Sequence, residues 1–308
     1  KILVFYPTGG VSKIQNLQMC TQKGANVRVV AVKGNFDDAQ NSVKEIFGDK
    51  AFGEKLAAGN VKLSSANSIN WGRLVPQIVY YFSAYADLLE KGTIAAGEAV
   101  DFCVPTGNFG DILAGYYAKR MGLPVAKLIC ASNSNNVLTD FLQTGVYDKK
   151  RDFYKTISPS MDILISSNLE RLLYHETQDA ALVRGWMEEL AAKGRYEVGE
   201  TVLQNLKETF WAGWVDDAAT KATIREVYEK EHYVLDTHSA VAYRVAQAYK
   251  KETGSERPLV VVSTASPYKF NESVLDALGA ERAGLDEFAQ LDKLASLNES
   301  PIPQGLAS

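Results

Sequence analysis

Ala99-Val-Asp-Phe-Cys-Val104 is a mostly apolar run that passes into Pro105-Thr-Gly-Asn-Phe-Gly110 and then into Asp111-Ile-Leu-Ala-Gly-Tyr-Tyr-Ala-Lys-Arg-Met121. The first segment has the length and the Val/Phe content of a buried strand, the second has two glycines that interrupt it, and the third is long enough for a helix. Leu123-Pro124 stops that helix, and Val125–Cys130 is a further strand. A strand, a glycine loop, a helix and a second strand within about 30 residues make a βα unit of a parallel sheet.

The same alternation extends outward in both directions. Ile2–Tyr6 and Val27–Val32 are predicted strands, and Ser12-Lys-Ile-Gln15 has the spacing of a capping box at a helix start. Phe36–Phe47 is an amphipathic helix closed by Gly48, and a short helix and a strand near Val61–Leu63 follow. The polar stretch Ser65-Ala-Asn-Ser-Ile-Asn-Trp-Gly-Arg73 opens a long helix that reaches about Leu89. From Leu169 to Glu231 the chain is charged and predicted helical, broken near Lys193-Gly194 and without a strand. Alternation resumes with a helix over His238–Lys250, a strand over Leu259–Ser263 and Pro267 at the first position of another helix. The fold class is therefore α/β, with mostly parallel sheets flanked by helices.

Composition narrows the function. With 46% hydrophobic and 23% charged residues, the 308-residue chain can bury a substantial core, so disorder is excluded. A net charge of -4 and the lack of a long basic tract argue against a nucleic-acid partner. Cys20, Cys103 and Cys130 have no CxxC spacing, which suggests neither a disulfide framework nor a zinc ribbon and fits a cytoplasmic setting. No apolar run reaches the roughly 18 to 20 residues that cross a bilayer, so no membrane partner is expected. His175, His232 and His238 lack metal-ligand spacing, and no metal site is expected. Cys103 reads as a buried strand thiol. Tyr80-Tyr-Phe82 and Tyr116-Tyr117 read as core and helix packing, and Trp211 and Trp214 as packing within the helical stretch. Lys1-Ile-Leu-Val-Phe-Tyr-Pro7 enters a strand without a preceding methionine or element, so a segment upstream of Lys1 is expected.

Three segments carry chemistry. Thr106-Gly-Asn-Phe-Gly-Asp111 sits where a strand ends and a helix begins, so backbone N–H groups and the helix dipole can converge on a phosphate; a plain strand-to-helix turn is the other reading. Asn67-Ser68-Ile-Asn70 with Arg73 can direct amide, hydroxyl and guanidinium at one oxyanion; the alternative is an N-cap beside a solvated Arg. Ser263-Thr-Ala-Ser-Pro-Tyr-Lys-Phe270 follows an apolar strand and delivers hydroxyls to the carboxyl edge of a sheet, where ligands of open α/β folds gather, or else merely caps the next helix.

Taken in chain order, the three segments resemble the threonine synthase family, which has an Asn-Ser-Ile-Asn turn followed by an Arg, a Gly-Asn-Phe-Gly-Asp loop and a late Thr-Ala-His-Pro-x-Lys-Phe motif. Tyr6-Pro7 with Gln15, and Thr237-His-Ser-Ala-Val-Ala-Tyr243, extend the resemblance over Lys1 to Leu278. Ser266 stands where the family commonly has His, and Thr106 where Ser is frequent. The resemblance implies the fold-type II pyridoxal-phosphate architecture, similar to the tryptophan synthase β subunit. It implies residues 1–64 as the remainder of a smaller N-terminal α/β domain and 65–308 as a larger cofactor-binding domain with a helical insert at about 167–232.

The implied cofactor is pyridoxal 5'-phosphate (PLP), with its phosphate on Gly107, Asn108, Phe109, Gly110 and Asp111, and with Thr264, or else Ser263, facing the pyridine nitrogen. Asn67, Ser68, Asn70 and Arg73 match the contacts to the substrate phosphate. The implied reaction converts O-phosphohomoserine and water into threonine and phosphate; a related lyase or dehydratase, or a non-catalytic phosphate-ligand binder, is the alternative. The family's Schiff-base lysine belongs upstream of Lys1, so this stretch alone is expected to be inactive. Monomer and homodimer both stay open.

Overall fold

The computed structural model describes residues 1–11, 13–34 and 36–307. β1 (Ile2–Pro7) leads to α1 (Lys13–Cys20) and β2 (Val27–Val32), and the two strands pair in parallel from Ile2↔Val27 to Pro7↔Val32. Ser12, and with it the expected capping box, lies outside the described residues. α2 (Phe36–Gly48) and α3 (Lys50–Ala58) follow, and Asp49 caps α3 by accepting from Phe52 N at 3.0 Å. The strand expected near Val61–Leu63 does not form. Val61 and Leu63 stay exposed, and among the described residues no strand pairs with them, so two apolar side chains in alternation do not suffice.

α4 (Trp71–Glu90) is the long helix expected to open from the Ser65–Arg73 stretch; it starts at Trp71, so Arg73 lies in its first turn. It buries Leu74, Tyr81 and Tyr85 along one stripe, whereas Tyr80 and Phe82 are 63% and 37% exposed. The expectation that Tyr80-Tyr-Phe82 packs the core therefore holds for Tyr81 alone, because three consecutive helical residues cannot face one side. β3 (Val100–Pro105), α5 (Gly110–Arg120) and β4 (Val125–Ser132) form the central βα unit. α4 and α5 approach closely because Gly115 has no side chain: a Cβ there would come within 2.6 Å of the Tyr81 ring.

Beyond β4 come α6 (Val137–Thr144), β5 (Val146–Asp148), α7 (Leu169–Thr177), α8 (Ala180–Lys193), β6 (Arg195–Glu197), α9 (Glu200–Thr209) and β7 (Phe210–Trp214). Here the expectation of a strand-free helical stretch is corrected. β6 pairs antiparallel with β5, and β7 pairs in parallel with β4, from Leu128↔Phe210 to Ser132↔Trp214. Phe-Trp-Ala-Gly-Trp is an apolar run of five residues, too short to show a period, and its strand character comes from the open edge of β4. Trp211 packs against Tyr249 at 5.4 Å and Trp214 is 48% exposed, so neither serves a purely helical subdomain.

α10 (Asp217–Glu231), α11 (Thr237–Thr253), β8 (Leu259–Val261), α12 (Asn271–Leu278), α13 (Glu287–Ala295) and α14 (Gln304–Ala307) complete the chain. The main sheet has the order β7-β4-β3-β8, all parallel. Every residue of β3 is buried: Phe102 and Val104 lie under α4 and α5, while Cys103 faces Val241, Ala242 and Val245 of α11. Helices thus cover both faces, as a parallel sheet requires. Asp101, fully buried in β3, is reached by Lys127 N at 3.0 Å and by the hydroxyls of Tyr249 and Ser255 at 3.1 Å each, which matches a buried charge to donors.

Candidate functional site

The loop between β3 and α5 is held by its carbonyls. Gly107 O accepts from Ser166 Oγ at 2.9 Å, Asn108 O accepts from Asn168 Nδ2 at 2.9 Å and Asn168 N at 3.2 Å, and Asn108 Oδ1 accepts from Ser167 Oγ at 3.0 Å. Across a trans peptide the next N–H points opposite to the C=O, so these bonds turn the N–H groups of Asn108 and Phe109 away from Ser166–Asn168. Among the described residues, the N–H groups of Gly107, Asn108 and Phe109 find no acceptor, although Gly107 and Phe109 are buried. Phe109 takes the left-handed conformation, φ 63°, which curls the loop into the first turn of α5. A concave set of N–H groups at a helix N-terminus is an anion cradle.

Gly107 is required by close approach. A Cβ there would stand 2.9 Å from Ser160 O and 3.2 Å from Met161 Cα, both of them backbone. Thr106 turns its hydroxyl back onto Val104 O at 2.7 Å, so it anchors the strand end and does not face the cradle. Asp111 accepts from Ile112 N at 2.8 Å, and burial pushes its carboxyl up to about 6. A carboxylate cannot donate to phosphate, so the group through which Asp111 could serve an anion is its backbone N–H in the first turn of α5.

The turn before α4 is built from its own amides. Asn67 Oδ1 accepts from Ile69 N at 3.0 Å, Asn70 Oδ1 caps the helix by accepting from Gly72 N at 2.8 Å, and Asn70 Nδ2 donates to Ser65 O. Arg73 is exposed and donates to Ala66 O at 3.1 Å. Ser68 makes no hydrogen bond among the described residues, and its Cβ is 3.8 Å from where a Gly110 side chain would begin. The two loops are therefore neighbours. They are also tied together, since Arg171 donates to Asn168 Oδ1 and to Ile69 O, each at 2.6 Å.

Ser263 and Thr264 follow β8 at the same carboxyl edge, one strand from the cradle, with Val262 N bonded to Cys103 O at 2.9 Å. The Ser263 and Ser239 hydroxyls are hydrogen-bonded at 3.2 Å, whereas the exposed Thr264 hydroxyl makes no hydrogen bond among the described residues. Ser239 in turn donates to the buried Asp236, whose carboxyl lies low: burial would raise it, and hydrogen bonds from His238 and Ser239 outweigh that. His238 Nε2 accepts from Ser160 N at 3.2 Å, so α11 also steadies the segment that abuts Gly107. The sequence pointed to the cradle, the turn, the hydroxyls and the Thr237-His-Ser239 helix start, but not to Ser166, Ser167, Asn168 and Arg171 or to the bond between His238 and Ser160. The signal present was Ser-Ser-Asn just ahead of a helix.

Comparison with known proteins bears on what this edge is. The family described as "Threonine synthase, C-terminal" matches residues 239–301. "Threonine synthase-like 1" of Homo sapiens is 42% identical over 304 residues, covering 97% of this chain and 40% of the relative, and "Threonine synthase" of Saccharomyces cerevisiae is 38% identical over 319 residues, covering 97% and 60%. A structure of PLP bound threonine synthase from Brucella melitensis superposes with a TM-score of 0.79 at 44% identity, covering 95% of this chain and 60% of that one. The chain belongs to the threonine synthase family. It spans 40% of the human relative's length and 60% of the yeast one's. The cradle, the Asn67–Arg73 turn and the Ser263–Thr264 edge are thus features of a threonine synthase family chain with the fold-type II architecture.

Proposed function

We propose that the protein is a threonine synthase that uses PLP to convert O-phosphohomoserine and water into threonine and phosphate. The reading is carried by the acceptor-free N–H groups of Gly107–Phe109 in a loop whose Gly110 lies against Ser68, in the same turn that leads into Arg73, so that two segments suited to anions are neighbours. PLP and phosphohomoserine each carry a phosphate, and this arrangement suits one on each side.

In this proposal the N–H groups of Gly107, Asn108, Phe109 and Gly110 hold the PLP phosphate, with the α5 dipole behind them. The Thr264 hydroxyl, left open where Ser263 is engaged by Ser239, bonds the pyridine nitrogen. Ser68, with Asn67 and Arg73, holds the substrate phosphate. Asn70 shapes that turn, since both ends of its amide serve the cap. PLP, when bound, delocalises the charge left as protons depart from the amino acid's carbon skeleton. The Arg73 guanidinium neutralises charge that grows on the departing phosphate, which is where a fixed cation lowers the barrier most.

Product analysis tests the proposal. The full-length protein, supplied with PLP and O-phosphohomoserine, should release threonine and inorganic phosphate in equal amounts. A keto acid with ammonia, or no turnover, would contradict it.

A further inference from the structure

Asn168 and Arg171 lie between the two anion sites and touch both. Asn168 is fully buried; its side-chain amide donates to Asn108 O and its carbonyl receives Arg171 Nη1 at 2.6 Å. From the same guanidinium, Nη2 reaches Ile69 O at 2.6 Å, in the turn that carries Ser68. One donor of this rigid, planar group is thus anchored on Asn168, three residues earlier at the start of α7 and itself bonded to the cradle loop through Asn108 O, and the other on the Asn67–Asn70 turn, far away in the chain. Among the described residues Arg171 forms no ion pair, although it is only partly exposed. A partly buried cation that lacks a carboxylate costs less when an anion sits nearby.

We propose that Arg171 is a positioning residue that sets the distance between the PLP-phosphate cradle and the substrate-phosphate turn. It acts through Asn168 on one side and Ile69 on the other. The inference rests on the function proposed above and adds to it the group that keeps the two sites in register.

The test uses the full-length protein and two probes: PLP, followed by visible absorbance, and inorganic phosphate, titrated calorimetrically into the PLP-loaded protein. Arg171→Ala should weaken phosphate binding by about tenfold or more and raise the PLP half-saturation concentration in the same direction, as loss of a charge-assisted hydrogen bond does. Arg171→Lys, whose single ammonium cannot fork, should leave at least one of the two affinities impaired. In Asn168→Ala combined with Arg171→Ala, the losses should fall short of the sum of the single variants, because both residues act through one linkage. A folded Arg171→Ala protein that binds both probes as the wild type does would overturn the inference, and so would a lowered melting temperature with both affinities intact. If Arg171→Ala does not fold, Arg171→Lys with two wild-type affinities overturns it equally. Wild-type protein that binds neither probe would sink the functional proposal together with this inference, and that result is visible before any variant is made.

Discussion

The Gly107–Phe109 backbone shows how a polar site is made from groups that are not themselves functional. Three side chains, Ser166, Ser167 and Asn168, fix carbonyls and the Asn108 amide, and the N–H groups then have nowhere to point except outward. Arg73 is at the other extreme: exposed, bonded to a single carbonyl and free to follow a ligand. Arg73→Ala should lower kcat/KM for phosphohomoserine by roughly 10²- to 10³-fold, the scale of a lost transition-state contact, with little change in melting temperature. Steady-state kinetics and a thermal melt check both halves. Asp111 makes a pH prediction. Its folded-state value of about 6 lies above the ordinary 3.8, so its contribution to stability is fully present below about pH 4 and is lost as pH rises through 6. The difference in stability between wild type and Asp111→Asn should therefore change between pH 4 and 7 and level off above; denaturant unfolding at several pH values reads it, and a flat difference would contradict the assignment.

At the level of elements, what the sequence disclosed depended on whether the signal was local. β1, β2, α4 and the β3-loop-α5 unit are bounded by glycines, caps and apolar runs that say where each starts and stops, and these were legible. β7 was not, because Phe210–Trp214 follows directly on α9 and becomes a strand only by pairing with β4. Val61–Leu63 erred the other way, having apolar alternation but no edge to join. For the site, the glycine loop and the polar turn were visible as types of residue, and Thr237-His-Ser239 as a helix start, whereas the contacts of Arg171 to Ile69 and of His238 to Ser160 join segments far apart in sequence and had no local signal. The sheet assignment of β7 is testable: Phe210, 3% exposed, should cost about 3 to 5 kcal/mol on replacement by Ala, while Trp214→Ala, at an exposed position, should cost far less. Equal effects from both in denaturant titrations would argue against the strand.

Over the whole molecule, parallel strands deliver the cradle, Ser132 and Ser263–Thr264 to one carboxyl edge of a sheet that helices cover on both faces. We propose the division into residues 1–64 and 65–308 as two domains; Lys13 pairs with Glu287, and Lys155 Nζ donates to Gly9 O at 2.9 Å, so polar contacts join the two parts around a cavity of about 240 Å³. No helix among the described residues is long and apolar enough to cross a membrane. The most direct test of the central claim is a crystal structure of the full-length protein with PLP and inorganic phosphate. The PLP phosphate should lie within hydrogen-bond distance of the Gly107–Gly110 amides and the free phosphate beside Ser68 and Arg73; PLP bound elsewhere, or two anions on unconnected surfaces, would contradict the proposal.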